Sequence, residues 1–219
     1  MVENAAWRTR IKICGMTNLA EALALVPLGV DALGFIFARE SPRYIEPEQA
    51  REIIRQLPPF VNTVGVFVNE DPDLLNDIVQ YCGLTLVQLH GSEPPEYCQS
   101  IAATVIKALR VHDRKSLAVW EHYRGVVKGV LLDTWHPDKV GGTGEHFDWQ
   151  LAAEADFAAS CILAGGLDAA NVEEAIRRVR PFAVDVNSGV EVEPGRKDIA
   201  KAKEFIAAVS RADGQRHDY

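Results

Sequence analysis

The sequence has no apolar run long enough to cross a bilayer. Nowhere do about 18 consecutive apolar residues occur. The opening stretch Met1–Arg10 carries Glu3, Arg8 and Arg10 and lacks the apolar centre of a signal peptide. We therefore expect a cytoplasmic protein that does not bind membranes.

Cysteine is scarce and is not grouped. The four cysteines lie far apart, at a spacing typical of neither a zinc site nor a disulfide scaffold: Cys14, Cys82, Cys98 and Cys161. The histidines other than His90 show no metal-ligand spacing either: His112, His122, His136, His146 and His217. We therefore expect free thiols, no bound metal and no cofactor.

Positive charge is in deficit. The 23 Lys and Arg residues are outnumbered by 31 Asp and Glu residues, which gives a formal net charge of -8 at pH 7. Such a chain repels nucleic acid and anionic membranes, so we expect no polyanion partner. An anionic substrate must instead be captured by a local site.

Apolar residues are plentiful and recur in short runs. The 219 residues, 47% of them hydrophobic, are enough for one substantial core. We therefore predict a single domain over residues 1–219, with an N-terminal extension, Met1–Arg8, and a polar tail, Asp213–Tyr219, that can be disordered without consequence. The β-rich runs are Arg10–Cys14, Ala32–Phe35, Asn62–Val68, Leu86–Leu89, Thr104–Leu109, Gly129–Asp133, Cys161–Ala164 and Ala183–Asn187.

Segments with helical spacing separate these runs. They include Asn18–Leu28, Pro47–Leu57, Pro72–Tyr81, Asn171–Val179 and Ile199–Val209. Several of the β-rich runs are apolar on both faces, as in a parallel sheet that helices cover. The alternation predicts an α/β fold, and this number of units fits a single (β/α)8 TIM barrel better than a doubly wound sheet.

The catalytic groups of such a barrel lie at the carboxyl ends of the strands. The first predicted strand ends in Cys14, next to Gly15, and the sixth ends in Asp133. On spacing alone, a buried structural thiol is the commoner interpretation of Cys14. A helix cap or loop anchor is as frequent as a catalytic role for Asp133.

Three more polar residues stand at or near strand ends. Arg43 follows the second strand, where its guanidinium can hold a carboxylate through two hydrogen bonds, although a solvated loop arginine is more common. Asp185 lies in an apolar strand and must be paired, so support of the fold is as plausible as catalysis. His90 ends the fourth strand and is interpreted as a wall of the substrate site, although hydrogen-bonded core histidines are more common.

Small residues follow the last two strands. Gly165 and Gly166 come after the seventh strand, and Ser188 and Gly189 come after the eighth. These loops are the usual phosphate site of a barrel, although a tight turn explains each glycine alone. We therefore predict that backbone amides of both loops bind phosphate.

One strand-to-helix connection is unusually long. It runs over Thr134–Phe147 and contains Gly142, Thr143 and Gly144. Long connections in compact barrels often close over the substrate. We therefore predict a lid.

Taken in order, these strand ends resemble the phosphoribosylanthranilate isomerase family. The matching segments are Lys12–Gly15, Gly34–Phe37, Ser41–Arg43, Val64–Phe67, Gln88–Gly91, Leu132–Thr134, Gly141–Gly144, Ala164–Leu167 and Asp185–Glu191. Each segment alone is a weak signal, but their order is very specific. One departure is Asn187, where most members of the family have Ser.

The resemblance implies a metal-free Amadori rearrangement of a phosphorylated aminoaldose into an aminoketose in tryptophan biosynthesis. It makes Cys14 the general base and Asp133 the general acid, and it assigns Arg43 to the anthranilate carboxylate. The phosphate would lie on the two small-residue loops and at the start of a short helix after Val190.

Lys12 shares the strand face of Cys14. We expect Lys12 and Asp185 to form a charged pair in the barrel interior that tunes the base. A nearby cation of this kind should lower the pKa of the thiol.

Other phosphosugar enzymes share this fold, so the fold alone does not decide the reaction. The histidine-pathway aminoaldose isomerase would have an Asp in place of Cys14, and indoleglycerol-phosphate synthase would need a catalytic Lys–Glu set that we do not find. A non-catalytic phosphosugar-binding barrel would need neither Cys14 nor Asp133. The expected partner is therefore a small phosphosugar substrate, bound by a monomer or weak homodimer.

Overall fold

The chain forms a closed parallel barrel. The computed structural model describes residues 8–134, 148–155, 157 and 160–214. The barrel strands are β1 Arg10–Ile13, β2 Ala32–Ile36, β3 Asn62–Phe67, β4 Leu86–Leu89, β5 Thr104–Val111, β6 Gly129–Thr134, β7 Ser160–Leu163 and β8 Ala183–Val186. Each strand pairs in parallel with the next, and β8 pairs with β1. The predicted (β/α)8 fold is confirmed.

Helices cover the outside of the barrel. In the described part of the chain they are α1 Leu19–Leu25, α2 Pro47–Ile54, α3 Pro72–Cys82, α4 Pro95–Ser100, α5 Arg114–Ala118, α6 Trp149–Ala153, α7 Val172–Val179 and α8 Ile199–Gly214. Short polar side chains fix several helix starts, because they satisfy amides that have no partner within the helix. The Asn18 side chain accepts a hydrogen bond from the Glu21 amide at the start of α1.

The helix α8 includes the first two residues of the predicted polar tail, Asp213 and Gly214. The two carboxylate oxygens of Asp213 accept hydrogen bonds from the amide and hydroxyl of Thr9, both at 2.7 Å. This long-range contact ties the end of α8 to the residue before β1, which the polarity of the segment does not indicate. Residues 215–219 lie outside the described residues. Of the N-terminal extension only Arg8 is described, and it pairs with Asp31.

The apolar core has two layers. The larger layer lies between strands and helices and includes Phe35, Phe67 and Phe205. A smaller cluster fills the barrel interior on the side of β5 to β8: Ile106, Ala108, Leu131, Ile162, Ala164 and Ala183. Because successive residues of a strand point to opposite faces, one face of a strand packs against the helices and the other faces the barrel interior. Polar side chains at inward positions therefore meet at the barrel's carboxyl end.

A short hairpin follows the barrel. After β8 the chain forms a 3-10 turn over Ser188–Val190, then the antiparallel strands β9 Glu191–Glu193 and β10 Arg196–Lys197. The short helix expected after Val190 was a wrong prediction, because the chain there pairs with β10 instead.

The four cysteines are free thiols, as expected. Across the described ranges, no helix is long and apolar enough to cross a membrane. The same ranges contain no group of three or more His, Cys, Asp or Glu side chains that could hold a metal ion.

Candidate active site

A cavity opens at the carboxyl ends of the barrel strands, with an empty volume of about 960 Å³ that includes its mouth. It brings together eight of the predicted site residues: Cys14, Arg43, His90, Asp133, Gly165, Gly166, Asp185 and Ser188. Gly189 is not among its lining residues; an added Cβ there would lie 2.1 Å from the Leu167 carbonyl oxygen. The predicted lid residues Gly142, Thr143 and Gly144 lie outside the described residues.

The register of β1 on β8 places Lys12 opposite Asp185. Lys12 Nζ donates a hydrogen bond to Asp185 Oδ2 at 2.8 Å, and both side chains are buried. The expected charged pair is therefore present inside the barrel. The other carboxylate oxygen of Asp185 is buried and accepts no hydrogen bond from the described residues, so it is available to a ligand.

The environment of Cys14 raises the pKa of its thiol. Burial is the largest cause; the charge of Lys12 opposes it, Asp185 adds to it and Lys197 opposes it. The net direction is opposite to the one expected from the nearby cation alone, because desolvation of the thiolate outweighs the attraction to Lys12. The thiol form therefore predominates in the free protein at neutral pH.

Asp133 is held by its neighbours at the end of β6. Its Oδ1 accepts a hydrogen bond from the Thr134 amide at 2.9 Å, and its Oδ2 lies 3.2 Å from Nε2 of His90. Gln88 Nε2 lies 3.0 Å from the other ring nitrogen of His90. When this amide donates to Nδ1, the ring proton is on Nε2 and is shared with Asp133. His90 therefore orients the carboxyl group of Asp133.

Gly165 allows the loop after β7 to approach Asp133. Its φ is +83°, and a Cβ there would lie 2.9 Å from Asp133 Oδ1 and 2.4 Å from the Thr134 nitrogen. The amides of Gly165 and Gly166 donate to none of the described residues. Asn171 fixes the loop by donating to the Gly166 carbonyl at 2.8 Å. Two available amides beside the start of α7 suit an anion.

Arg43 lines the cavity but is also paired with Glu191. Its Nε and Nη2 donate to Glu191 Oε2 at 3.1 and 2.8 Å. Its Nη1 donates to no residue in the described part of the chain, so one end of the guanidinium is available to a ligand. Arg43 is therefore a buried cation with a protein partner on one side, not a solvated loop arginine.

Several polar lining residues were not predicted as site residues: Ser41, Gln88, Arg110, Thr134 and Asn187. A polar residue at an inward strand position, such as Gln88 in β4 or Arg110 in β5, is the signal that could have found two of them. Glu191 and Lys197 carry no such signal, because they lie in the hairpin beyond the barrel.

Known proteins similar to this chain identify its family. The family described as N-(5'phosphoribosyl)anthranilate (PRA) isomerase matches residues 11–208. The chain belongs to the phosphoribosylanthranilate isomerase family. A relative from Pelobacter propionicus, named N-(5'-phosphoribosyl)anthranilate isomerase, is 53% identical over 197 residues, covering 90% of this chain and 93% of the relative. One of the same name from Moorella thermoacetica is 54% identical over 205 residues, covering 93% and 91%.

Solved structures of the family have the same fold. Phosphoribosyl anthranilate isomerase from Thermotoga maritima superposes with a TM-score of 0.88 at 47% identity, covering 93% of this chain and 99% of that one. A structure of the isomerase in complex with reduced 1-(o-carboxyphenylamino)-1-deoxyribulose 5-phosphate has a TM-score of 0.82 at 45% identity, with the same coverage. The resemblance seen in the sequence is confirmed, and the chain is an aldose–ketose isomerase of tryptophan biosynthesis.

Proposed function

We propose that this isomerase converts N-(5'-phosphoribosyl)anthranilate into 1-(2-carboxyphenylamino)-1-deoxyribulose 5-phosphate, with Cys14 as general base and Asp133 as general acid. The observation that carries the proposal is that one cavity is lined by both groups, by Arg43 and by the small-residue loops. The solved relative that holds the reduced form of this product supports a ligand of this class. The rearrangement opens the sugar ring and moves protons within one molecule, with no net oxidation or reduction, so its chemistry requires neither a metal nor a redox cofactor.

The reaction starts at the ribose ring. Asp133 gives its proton to the ring oxygen, the C1–O bond breaks, and the nitrogen lone pair forms the C1=N bond of a Schiff base. The thiolate of Cys14 then removes the proton from C2, and the electron pair released forms an enolamine. A proton returns to C1 while the C2 hydroxyl loses its own, which gives the ketose.

The charges around the cavity support these steps. Burial alone would lower the pKa of Lys12, but Asp185 and Cys14 raise it overall, so Lys12 stays positive. Together with the positive Schiff base, it stabilises the Cys14 thiolate at the moment it is needed. Asp185 Oδ1 and Gln88 Oε1 are buried acceptors with no partner in the described ranges. We assign them, with His90, to the sugar hydroxyls.

A fluorescence assay tests the proposed reaction directly. Purified protein is added to freshly formed phosphoribosylanthranilate, and the loss of anthranilate-type fluorescence is followed. We expect a rate far above that of spontaneous breakdown. Decay at the spontaneous rate, with the histidine-pathway aminoaldose turned over instead, would contradict the assignment.

Arg43 is proposed to bind the anthranilate carboxylate through the part of its guanidinium that Glu191 leaves available. Arg43→Ala should then cost about 2 to 4 kcal/mol of transition-state stabilisation, measured as kcat/KM, because a desolvated charge pair is lost. Arg43→Lys should lose less, since the charge remains while the planar fork is gone. As a control, wild type should turn over the anthranilamide analogue poorly; equal turnover of amide and carboxylate would remove the basis of the assignment.

The phosphate is proposed to bind the backbone amides of Gly165, Gly166, Ser188 and Gly189. Inorganic phosphate or sulfate should therefore compete with substrate, and the net charge of -8 means that a general basic field cannot account for this. Gly166→Val should raise both KM and the inhibition constant for phosphate, because a side chain there blocks the anion. Unchanged phosphate inhibition in a folded variant would place the site elsewhere on the rim.

Gly214→Ala is the matched control for that substitution. Gly214 ends α8, and among the described residues nothing lies within 4 Å of an added Cβ. Its KM and phosphate inhibition constant should equal those of wild type. Thermal melting of both variants shows whether the fold is intact.

The protein is proposed to work in the cytoplasm as a monomer or weak homodimer. Phe60 is 99% exposed, which is unusual for a large apolar side chain. A solved structure from Thermotoga maritima is described as mutually generated monomers of the dimeric isomerase. Sedimentation over a range of protein concentrations measures the state, and a dimer that persists at nanomolar concentration would contradict weak association.

A further inference from the structure

We propose that Glu191 is a positioning residue that sets the orientation of Arg43 for substrate binding. The proposal rests on the role of Arg43 given under Proposed function and deepens it, because it names the group that aims the guanidinium. Glu191 does not line the cavity and acts only through its partner.

Three contacts hold Arg43 on this carboxylate. Arg43 Nε lies 3.1 Å from both carboxylate oxygens, and Nη2 lies 2.8 Å from Oε2. A fork of this kind fixes the plane of the guanidinium as well as its position. The Nη1 end is thereby left as the one that can reach a ligand.

Glu191 is itself fixed by the hairpin that follows the barrel. Lys197 Nζ donates to Glu191 Oε1 at 2.7 Å and to Asn187 Oδ1 at 2.9 Å. The Gly195 amide donates to the same Glu191 oxygen at 3.2 Å. The strands β9 and β10 therefore hold a carboxylate behind Arg43, which gives this hairpin a function that the barrel alone does not supply. Asn187, the departure from the family pattern, accepts the second bond of Lys197.

The charges of this cluster make Glu191 difficult to replace. Arg43, Glu191 and Lys197 are each less than a tenth exposed. Burial alone would raise the pKa of Glu191, but the hydrogen bond from Arg43 and the charge of Lys197 lower it overall, so it is ionised at neutral pH. Without this anion, two buried cations would face each other and Arg43 would lose its fixed partner.

The cluster also surrounds the residue that follows the proposed base. Gly15 has φ +74°, and a Cβ there would lie 2.8 Å from Asn187 Oδ1 and 2.9 Å from Arg43 Cδ. Arg43 and Asn187 therefore converge on the backbone next to Cys14.

The experiment is a double-mutant cycle of Glu191→Gln and Arg43→Ala, with kcat and KM measured for each variant. Gln has the shape of Glu without its charge, so Glu191→Gln should raise KM about tenfold with a smaller change in kcat. In the Arg43→Ala background the same change should alter kcat/KM less than about twofold, because the residue it positions is gone. Additive losses would overturn the proposal, since they would mean that Glu191 acts independently of Arg43.

A substrate without the carboxylate separates positioning from general support of the fold. The aniline N-glycoside of ribose 5-phosphate has nothing for Arg43 to bind. Wild type and Glu191→Gln should turn it over equally, whereas damage to the whole site would slow both substrates. If Arg43→Ala itself leaves kcat/KM for the carboxylate substrate unchanged, the role of Arg43 fails and this proposal fails with it. If Arg43→Ala is impaired and the cycle is additive, only the role of Glu191 fails.

Two further variants test whether Glu191 positions Arg43. Glu191→Asp keeps the charge but shortens the side chain, so its KM should lie between those of wild type and Glu191→Gln. It replaces Glu191→Gln in the cycle if that variant does not fold. Glu121→Gln removes a carboxylate that accepts hydrogen bonds from Nε and Nη2 of Arg124 and that does not line the cavity. Its kcat and KM should match those of wild type.

Discussion

Replacing Cys14 with alanine should lower kcat by about a hundredfold or more while leaving the fold intact. The Cys14 thiol, next to Gly15, is the only sulfur among the lining residues of the cavity in the described ranges. Because alanine is smaller, the variant creates space without strain in the barrel. Steady-state kinetics measure kcat, and thermal melting measures the fold.

Cys161→Ala is the control, because Cys161 lies in β7 and does not line the cavity. Burial raises its pKa to about 12, so it carries no reactive thiolate near neutral pH. Its kcat should equal that of wild type. Near-normal turnover by Cys14→Ala would refute the role of Cys14 as base.

The pH profile provides a second measure of the same role. Burial raises the pKa of Cys14, and a base works only when deprotonated, so kcat/KM should still be rising above pH 7. Lys12→Met should move the rising limb to higher pH, because the charge of Lys12 lowers the thiol pKa. A flat profile between about pH 5 and 9 would contradict the acid–base pair, provided that product release is not limiting.

Asp133→Asn should also lower kcat by about a hundredfold or more. The amide keeps the shape of the side chain and its contact with the Thr134 amide, but it has no acidic proton for the ring oxygen. Without that proton, the sugar opens slowly and little Schiff base reaches Cys14. The loss should therefore appear in kcat more than in KM.

Asp113→Asn is the matched control for this change. Asp113 caps the helix α5 and lies outside the cavity lining. Its variant can lose stability with the cap, yet kcat should stay at the wild-type value. If Asp133→Asn and Asp113→Asn have equal kcat, proton donation by Asp133 is excluded.

Much of the fold could be read from the sequence, because the signals are local. The short β-rich runs, several of them apolar on both faces, alternate with helical segments and so predict a barrel, and the runs overlap the observed strands. Asp213 shows where this reading fails. Its segment has the composition of a polar tail, but Asp213 lies in α8 and accepts a hydrogen bond from the amide of Thr9, near the other end of the chain.

The sequence likewise predicts some residues of the candidate site and misses others. The strand-end rule places Cys14, Asp133 and Arg43 at one rim, and the cavity brings them together. The rule also gives Gly189, which does not line the cavity. It misses Gln88, because Gln88 lies within β4 and not at its end; its side chain contacts His90 two residues later.

By itself, the sequence determined the eightfold alternation, the family and the residue types at the strand ends, since each of these depends on neighbours along the chain. Only the tertiary structure decided the direction of the Cys14 pKa, because burial of the thiol outweighs the cation that the sequence places two residues away. It alone paired Arg43 with Glu191, 148 positions later, and Glu191 with Lys197. Desolvation and contacts between distant segments arise from packing, and packing exists only once the barrel has closed.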